Sequence, residues 1–162
     1  MGGALVALLV RLLFFVAIVE GTSMKPTLHN GEEVMVLRTK KIHRFDVVLA
    51  TDQAGLVYVK RVIGLPGDNI RYHNEKLYVN GRVVAEDFLY KQLDLNKHQR
   101  YTADFPADYT SKGVHVPQGT YFLVGDNRPI SRDSRTFGVI PKKQIKGRVV
   151  CNIAPFDQFR FF

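Results

Sequence analysis

The sequence predicts an all-β body preceded by a short apolar N-terminal segment. Short runs of β-branched and aromatic residues alternate with turns rich in glycine, proline, asparagine and aspartate. Asn80-Gly81 separates two such runs, and this dipeptide is a strong signal for a β-hairpin. No apolar periodicity of 3.6 residues persists beyond the N-terminus. The 162 residues are enough for one domain with its own core.

The N-terminal run at residues 4–19 is apolar apart from Arg11. It is shorter than the roughly 20 residues that a membrane-spanning helix needs, and an arginine inside such a helix is costly. Two interpretations compete. The whole run is a short membrane anchor, or residues 2–10 are the stub of an anchor, Arg11 lies at the interface and residues 12–19 form the first strand. We favour the second, because residues 12–19 are rich in strand-forming side chains.

The remaining strands are predicted from short apolar runs bounded by turn residues. They are residues 33–37, 46–50, 56–63, 69–73, 76–79, 82–84, 119–124, 137–141 and 147–151. Residues 86–118 are polar and contain few aliphatic side chains, so they are predicted to form an inserted excursion or small subdomain rather than core. The predicted organisation is an N-terminal segment at 1–19 and a β domain at 20–162.

Composition restricts the possible partners and cofactors. The formal net charge of +8 favours an anionic partner such as an acidic membrane face. The basic residues are scattered without a nucleic-acid-binding motif, so we expect no nucleic acid. Cys151 is the only cysteine, which excludes an internal disulfide. The five histidines lack metal-ligand spacing, so neither a metal nor another cofactor is expected.

Ser23 lies in a turn that suits a nucleophile. Gly21 permits unusual backbone angles, and Pro26 disfavours the start of a helix. The expected result is a rigid, non-helical turn that presents a hydroxyl and unpaired N–H groups, which a nucleophile with an oxyanion hole requires. The alternative is that Ser23 simply hydrogen-bonds within its own turn.

Lys60 and Arg61 interrupt the otherwise apolar strand predicted at residues 56–63. Because both faces of this strand are apolar, at least one of the two charges is expected to be desolvated. Burial lowers the pKa of a lysine, and a neutral amine is a general base. The alternative is that both side chains extend to the sheet edge. Together, Ser23 and Lys60 match a known serine–lysine variant of the catalytic triad.

Three motifs then occur in order: SMKPTL at 23–28, YVKRVIGLPGD at 58–68 and GDNRPISRDSRTFGVIP at 125–141. They closely resemble the conserved boxes of type I signal peptidases, the membrane-bound serine–lysine endopeptidases that cut signal peptides from exported proteins. The resemblance runs from about Arg11 to the C-terminus. Glycine at position 21, two residues before Ser23, resembles the Gram-positive branch of the family.

The resemblance implies a role for each matching residue. Ser23 is the nucleophile and Lys60 the general base. Ser131 matches the serine that hydrogen-bonds and orients the lysine. Asp133 and Arg135 match a pair that shapes the site through a salt bridge.

The resemblance also implies an oxyanion hole and a mechanism. The hole uses the backbone N–H of Ser23, and its side-chain donor is absent because Gly21 has no hydroxyl. Ser23 forms an acyl-enzyme at the end of a signal peptide, after small residues in an Ala-x-Ala pattern. The substrate is expected to add a strand to the sheet edge near Ser23. The implied fold is a largely antiparallel β core with an inserted smaller β subdomain.

The implied location is the cell membrane, single-pass or peripheral, with the catalytic domain on the extracellular face. The family's full transmembrane helix and basic flank are not matched here, so membrane attachment is expected mainly from resemblance. The aromatic tail at Phe156, Phe159, Phe161 and Phe162 is expected to pack partly on the core rather than dip into the membrane interface.

Three other functions remain open at this point. A related serine–lysine protease could process pilus or conjugation proteins; a self-cleaving repressor is disfavoured because no helix-turn-helix precedes the catalytic part. A catalytically silent homologue could bind exported peptides or assist the assembly of surface fibres. A basic nucleic-acid-binding β domain rests on net charge alone.

Overall fold

The computed structural model describes residues 2–52, 55–90, 101–106, 113–155 and 159–162. Helix α1 spans Gly2–Leu13 and strand β1 follows at Phe14–Ile18. The strand therefore starts two residues later than predicted, since Leu12 and Leu13 are good helix formers and the aromatic and β-branched run begins at Phe14. Within the described residues, no helix has the length and hydrophobicity needed to cross a membrane.

The rest of the described chain is mostly β-strand, with three short helical turns. The strands are β2 Glu33–Leu37, β3 Val47–Thr51, β4 Val57–Gly64, β5 Asn69–His73, β6 Lys76–Val79, β7 Arg82–Val84, β8 Val114–His115, β9 Thr120–Val124, β10 Ile140–Pro141, β11 Ile145–Ala154 and β12 Arg160–Phe161. The helical turns are α2 Asp87–Tyr90, α3 Ser134–Phe137 and a 3-10 turn at Lys142–Gln144.

Two antiparallel sheets contain these strands. The larger has the order β1-β2-β11-β3-β4-β9-β10, with β12 paired to β11, and the smaller has the order β7-β6-β5-β8. Each strand pair in the described chain is antiparallel. The predicted all-β, largely antiparallel fold is confirmed.

The smaller sheet does not coincide with the predicted excursion at residues 86–118. It begins at Asn69 and takes only β8 from that segment. Within the segment, Leu89 and Val116 are buried. Isolated aliphatic residues in a polar stretch gave no periodic signal for this burial. Residues 91–100 and 107–112 lie outside the described residues.

The predicted strand at 137–141 is wrong over its first three residues. The Asp133 side chain accepts a hydrogen bond from the Arg135 N–H and caps α3, which extends through Phe137. Gly138 then ends the helix at φ 85°, a conformation that favours glycine. Only Ile140–Pro141 pairs with β9.

The core covers both faces of β3 and β4. Val47, Leu49 and Val59 belong to a cluster on one face, and Val48 and Val62 to a cluster on the other. Such a strand carries its charged residues into the interior, as predicted for residues 56–63.

The aromatic tail divides between core and solvent. Phe162 packs against the cluster that contains Val47 and Leu49, whereas Phe159 is 50% exposed and Phe161 is 76% exposed. Phe156 lies outside the described residues.

Candidate active site

Ser23 lies in a turn between β1 and β2 that the core holds in place. Its neighbour Met24 is 2% exposed, and Leu28 at the end of the turn is fully buried. The Leu28 N–H donates to the Met24 carbonyl at 2.9 Å. Gly21, with φ at 83°, donates its N–H to Asn30 Oδ1 at 2.8 Å. A side chain at Gly21 would be strained at this φ, so glycine suits the start of the turn.

The segment after β9 packs against this turn from the other side. The Asn127 N–H donates to the Ser23 carbonyl at 3.0 Å. A β-carbon at Gly125 would lie 2.5 Å from the Ser23 carbonyl oxygen and 2.1 Å from Ser131 Oγ. Gly125 therefore permits the close approach of two of the predicted site residues, Ser23 and Ser131.

Lys60 reaches Ser23 from β4. Its side chain is 4% exposed, and its Nζ donates to Ser23 Oγ at 2.5 Å. Among the described residues, no carboxylate forms an ion pair with it. Burial lowers the pKa of Lys60 to about 8, against the opposing influence of the Asp133 and Asp126 carboxylates, and Arg135 lowers it further. The prediction of a desolvated lysine is confirmed.

Arg61, the next residue, points to the opposite face and is 5% exposed. Its guanidinium forms a bidentate pair with Asp126, with Nε at 2.8 Å from Oδ1 and Nη2 at 2.5 Å from Oδ2. It also donates to the Phe45 carbonyl and stacks 3.9 Å above the centre of the Phe88 ring. Arg61 thus has the partners that a buried charge requires.

Asp133 and Arg135 form the ion pair that the resemblance implied. Arg135 Nη2 lies 2.8 Å from Asp133 Oδ2, and the Gly125 N–H donates to the same oxygen at 3.0 Å. Burial raises the pKa of Asp133, but Arg135 and the Gly125 N–H outweigh it and hold that pKa below its usual value. Arg135 also donates to the Arg128 carbonyl. This pair fixes the segment that packs on the Ser23 turn.

Ser131 lies beside the pair but does not make the expected hydrogen bond to Lys60. Its Oγ is buried beside the Asp133 carboxylate and helps to hold the pKa of Asp133 below its usual value. The Lys60 ammonium instead donates to Ser23. Ser131 is therefore close to Ser23, and its hydroxyl interacts with Asp133 rather than with Lys60.

One buried charge cluster at the site was not predicted. Arg128 is fully buried and pairs with Glu86 at 2.6 Å, donates to the Tyr72 hydroxyl at 3.0 Å and donates through Nε to the Gly125 carbonyl at 3.0 Å. It connects the smaller sheet to the glycine that contacts Ser23 and Ser131. The sequence showed a charged turn after β9, but its partner lies 42 residues earlier in the chain, and such pairing has no local signal.

An open cleft begins at Ser23. The serine cleft, as we call it, has a volume of about 380 Å³ and is lined by Ser23, Val19, Met24, Leu49 and Val59 together with the start of β4. Its walls are mainly apolar, which suits small apolar side chains next to a nucleophile. In the described part of the chain, no group of histidine, cysteine and acidic side chains could hold a metal ion.

The site thus brings a serine hydroxyl and a buried lysine together on an antiparallel β body. Comparison with known proteins is more specific. A family model described as signal peptidase, peptidase S26, matches residues 1–154. The chain therefore belongs to the signal peptidase family and is a hydrolase of that family.

The relatives and a solved structure agree. Signal peptidase I of Bacillus caldolyticus is 44% identical over 96% of this chain and 88% of its own length. Signal peptidase I V of Bacillus subtilis (strain 168) is 47% identical over 80% of this chain and 79% of its own. A crystal structure of signal peptidase I from Enterococcus faecalis V583 has 38% identity and a TM-score of 0.58, covering 67% of this chain and 96% of that one.

Proposed function

We propose that this chain is a membrane-associated endopeptidase that removes N-terminal signal peptides from exported preproteins, with Ser23 as nucleophile and Lys60 as general base. The observation that carries the proposal is the 2.5 Å hydrogen bond between Lys60 Nζ and Ser23 Oγ. Because Lys60 is buried and has no counter-ion among the described residues, it can act as a base near neutral pH. The family supplies the general activity, and these residues supply a mechanism.

The mechanism starts from neutral Lys60. With a pKa of about 8, roughly one lysine in ten is neutral at pH 7. It takes the proton from Ser23 as Oγ attacks the carbonyl at the end of the signal peptide, and an acyl-enzyme forms. The lysine then gives the proton to the departing amine. A water molecule, activated in turn by Lys60, releases the signal peptide.

The negative charge that develops on the carbonyl oxygen must be stabilised by hydrogen-bond donors. The Ser23 N–H makes no hydrogen bond within the described chain, so it is available for this oxygen. The Gly21 N–H is occupied by Asn30, and Gly21 carries no hydroxyl. Loss of one such donor typically costs about 3 kcal/mol of transition-state stabilisation. A backbone N–H or water must supply the second hydrogen bond.

The preprotein binds as an added strand beside β4. In the described chain, β9 pairs with β4 only from Arg61 onward, which leaves the edge at residues 57–60 open near Ser23. Side chains of the first and third residues before the cleaved bond then enter the serine cleft, whose mainly apolar walls beside Ser23 suit small aliphatic side chains such as alanine. This arrangement supports an Ala-x-Ala specificity.

Membrane association is supported by α1 and by charge. Leu8, Val10 and Leu12 of α1 are about half exposed or more, at 55%, 48% and 60%. The net charge of +8 favours an acidic bilayer. We place the catalytic domain on the extracellular face of the cell membrane, with signal peptides as substrates and no nucleic-acid partner.

Cleavage of a peptide with an Ala-x-Ala junction tests the proposal. The rate is measured in detergent from about pH 6 to about pH 10 for the wild type, Ser23→Ala and Lys60→Ala. We expect cleavage after the second alanine, and a loss of at least about a thousandfold in each variant. Equal rates in all three proteins would reject the dyad. Tight peptide binding without cleavage by the wild type would instead favour a silent peptide-binding homologue.

A further inference from the structure

The open edge of β4 separates two cavities. Val62 exchanges main-chain hydrogen bonds with Phe45 and Asp46, on the β3 side. Since main-chain groups alternate along an antiparallel strand, those of Val57 and Val59 point to the other side, away from β3. No strand of the described chain pairs with them there. They are free to bind an extended peptide.

Each cavity lies on a different face of this edge. The serine cleft is on the face of β4 where the cluster that contains Leu49 and Val59 packs. A second cavity, which we call the tyrosine cavity, has a volume of about 700 Å³ and lies on the face of Tyr58 and Ile140, where the cluster that contains Val48 and Val62 packs. Both cavities share the residues at the start of β4, so one bound peptide would contact both.

The tyrosine cavity combines apolar walls with polar groups. The rings of Tyr58 and Phe137 lie 5.8 Å apart and form part of the wall. The Tyr58 hydroxyl is buried and has no hydrogen-bond partner in the described chain. The lining also includes an acidic, a basic and a neutral polar side chain, which are Asp52, Arg132 and Gln144. Such a lining suits a long side chain with an apolar stem and a neutral hydrogen-bonding end.

We infer that the tyrosine cavity binds the side chain of the second residue before the cleaved bond, the x of Ala-x-Ala. Successive side chains of an added strand point to opposite faces. If the first and third side chains enter the serine cleft, the second faces the tyrosine cavity. This inference rests on the proposed function, and it adds a specificity site at a position whose neighbours must be small. Glutamine and tyrosine are the side chains that fit it best.

A peptide series tests the inference. The series carries alanine, leucine, glutamine or tyrosine at the middle position, and kcat/KM is measured for each peptide. We expect glutamine and tyrosine to exceed alanine by about tenfold, the range of one side chain in a pocket. Phe137→Ala removes one wall and should reduce this ratio to about twofold, while the preference for alanine at the third position stays as in the wild type. Phe161→Ala, the same substitution at an exposed ring that lines neither cavity, should keep both preferences.

A filling substitution gives an independent test. Gln144→Trp places a large ring in the tyrosine cavity and should reverse the order, so that alanine exceeds tyrosine at the middle position. Equal kcat/KM values for the whole series in the wild type would overturn the inference, as would a Phe137→Ala variant that changes the middle and third positions equally. If the wild type cleaves none of these peptides, the proposed function itself fails, which is a distinguishable result.

Discussion

Lys60 and Arg61 are neighbours on β4, and both are buried cations, at 4% and 5% exposed. They differ in what surrounds them. Arg61 has the Asp126 carboxylate, a carbonyl and an aromatic ring, whereas Lys60 donates to a neutral serine. Burial with a counter-ion keeps a cation charged, and burial without one favours the neutral form. The comparison indicates that burial without a counter-ion favours the neutral form of Lys60, which the proposed mechanism requires.

Lys60 and Arg61 also differ in their effect on the stability of the folded protein. A compensated pair such as Arg61–Asp126 depends strongly on both members, because either one alone is an unpaired buried charge. Lys60 already costs stability in the folded state, since its pKa falls from 10.5 to about 8. That shift corresponds to about 3 kcal/mol of differential solvation. Active sites often retain such a cost for function.

Breaking the Arg61 pair should give the largest loss of stability. Asp126→Asn leaves the Arg61 guanidinium without its counter-ion inside the core, where Asp126 is fully buried. We expect the free energy of unfolding to fall by about 3–5 kcal/mol, measured by urea denaturation. Asp87→Asn makes the same chemical change at an exposed site and should alter stability by less than about 0.5 kcal/mol. Equal small effects in both variants would contradict the assigned role of the pair.

Replacing Lys60 should have the opposite sign. Lys60→Met removes an uncompensated buried cation while keeping the volume, so we expect a gain of up to about 3 kcal/mol in unfolding free energy at pH 7, together with loss of cleavage. The folded pKa lies below the unfolded one, so between about 8 and 10.5 the unfolded wild type binds more protons and its stability rises with pH. The gain should therefore be complete below pH 8 and vanish as pH rises through this window. If Lys60→Met were less stable than the wild type at pH 7, burial of the Lys60 charge would not reduce the stability of the folded protein.

The contrast between the two residues was only partly visible in the sequence. Alternation along residues 56–63 predicted two faces and a buried charge, because strand periodicity is local. Which charge would be compensated depended on Asp126, 65 residues away from Arg61. The same limit hid Glu86 as the partner of Arg128. Residues 137–139 were misassigned because their apolar character fits a strand, whereas the Asp133 cap and Gly138 decide the local backbone.

The pH dependence of cleavage should show the next largest effect of the lowered Lys60 pKa. With the pKa of Lys60 at about 8, kcat/KM should rise about tenfold per pH unit well below that value. It should level off above it, because the neutral lysine is the active form. Initial rates at low substrate concentration across this range test the expectation; a plateau that is already complete at pH 6 would contradict it.

The smallest predicted effects separate charge from scaffolding around Lys60. The Asp133 carboxylate raises the pKa of Lys60 and the Arg135 guanidinium lowers it, although the two groups form one ion pair. Asp133→Asn keeps the shape of the side chain and should shift the rise in kcat/KM to lower pH. Arg135→Gln should shift it to higher pH. Each change at fixed pH should be less than about tenfold. Opposite shifts would show that the pair acts on Lys60 through its charges. If both variants instead lowered the plateau without moving the rise, the pair would act by holding the Ser131 segment against the Ser23 turn, and the neutral form of Lys60 would depend on burial alone.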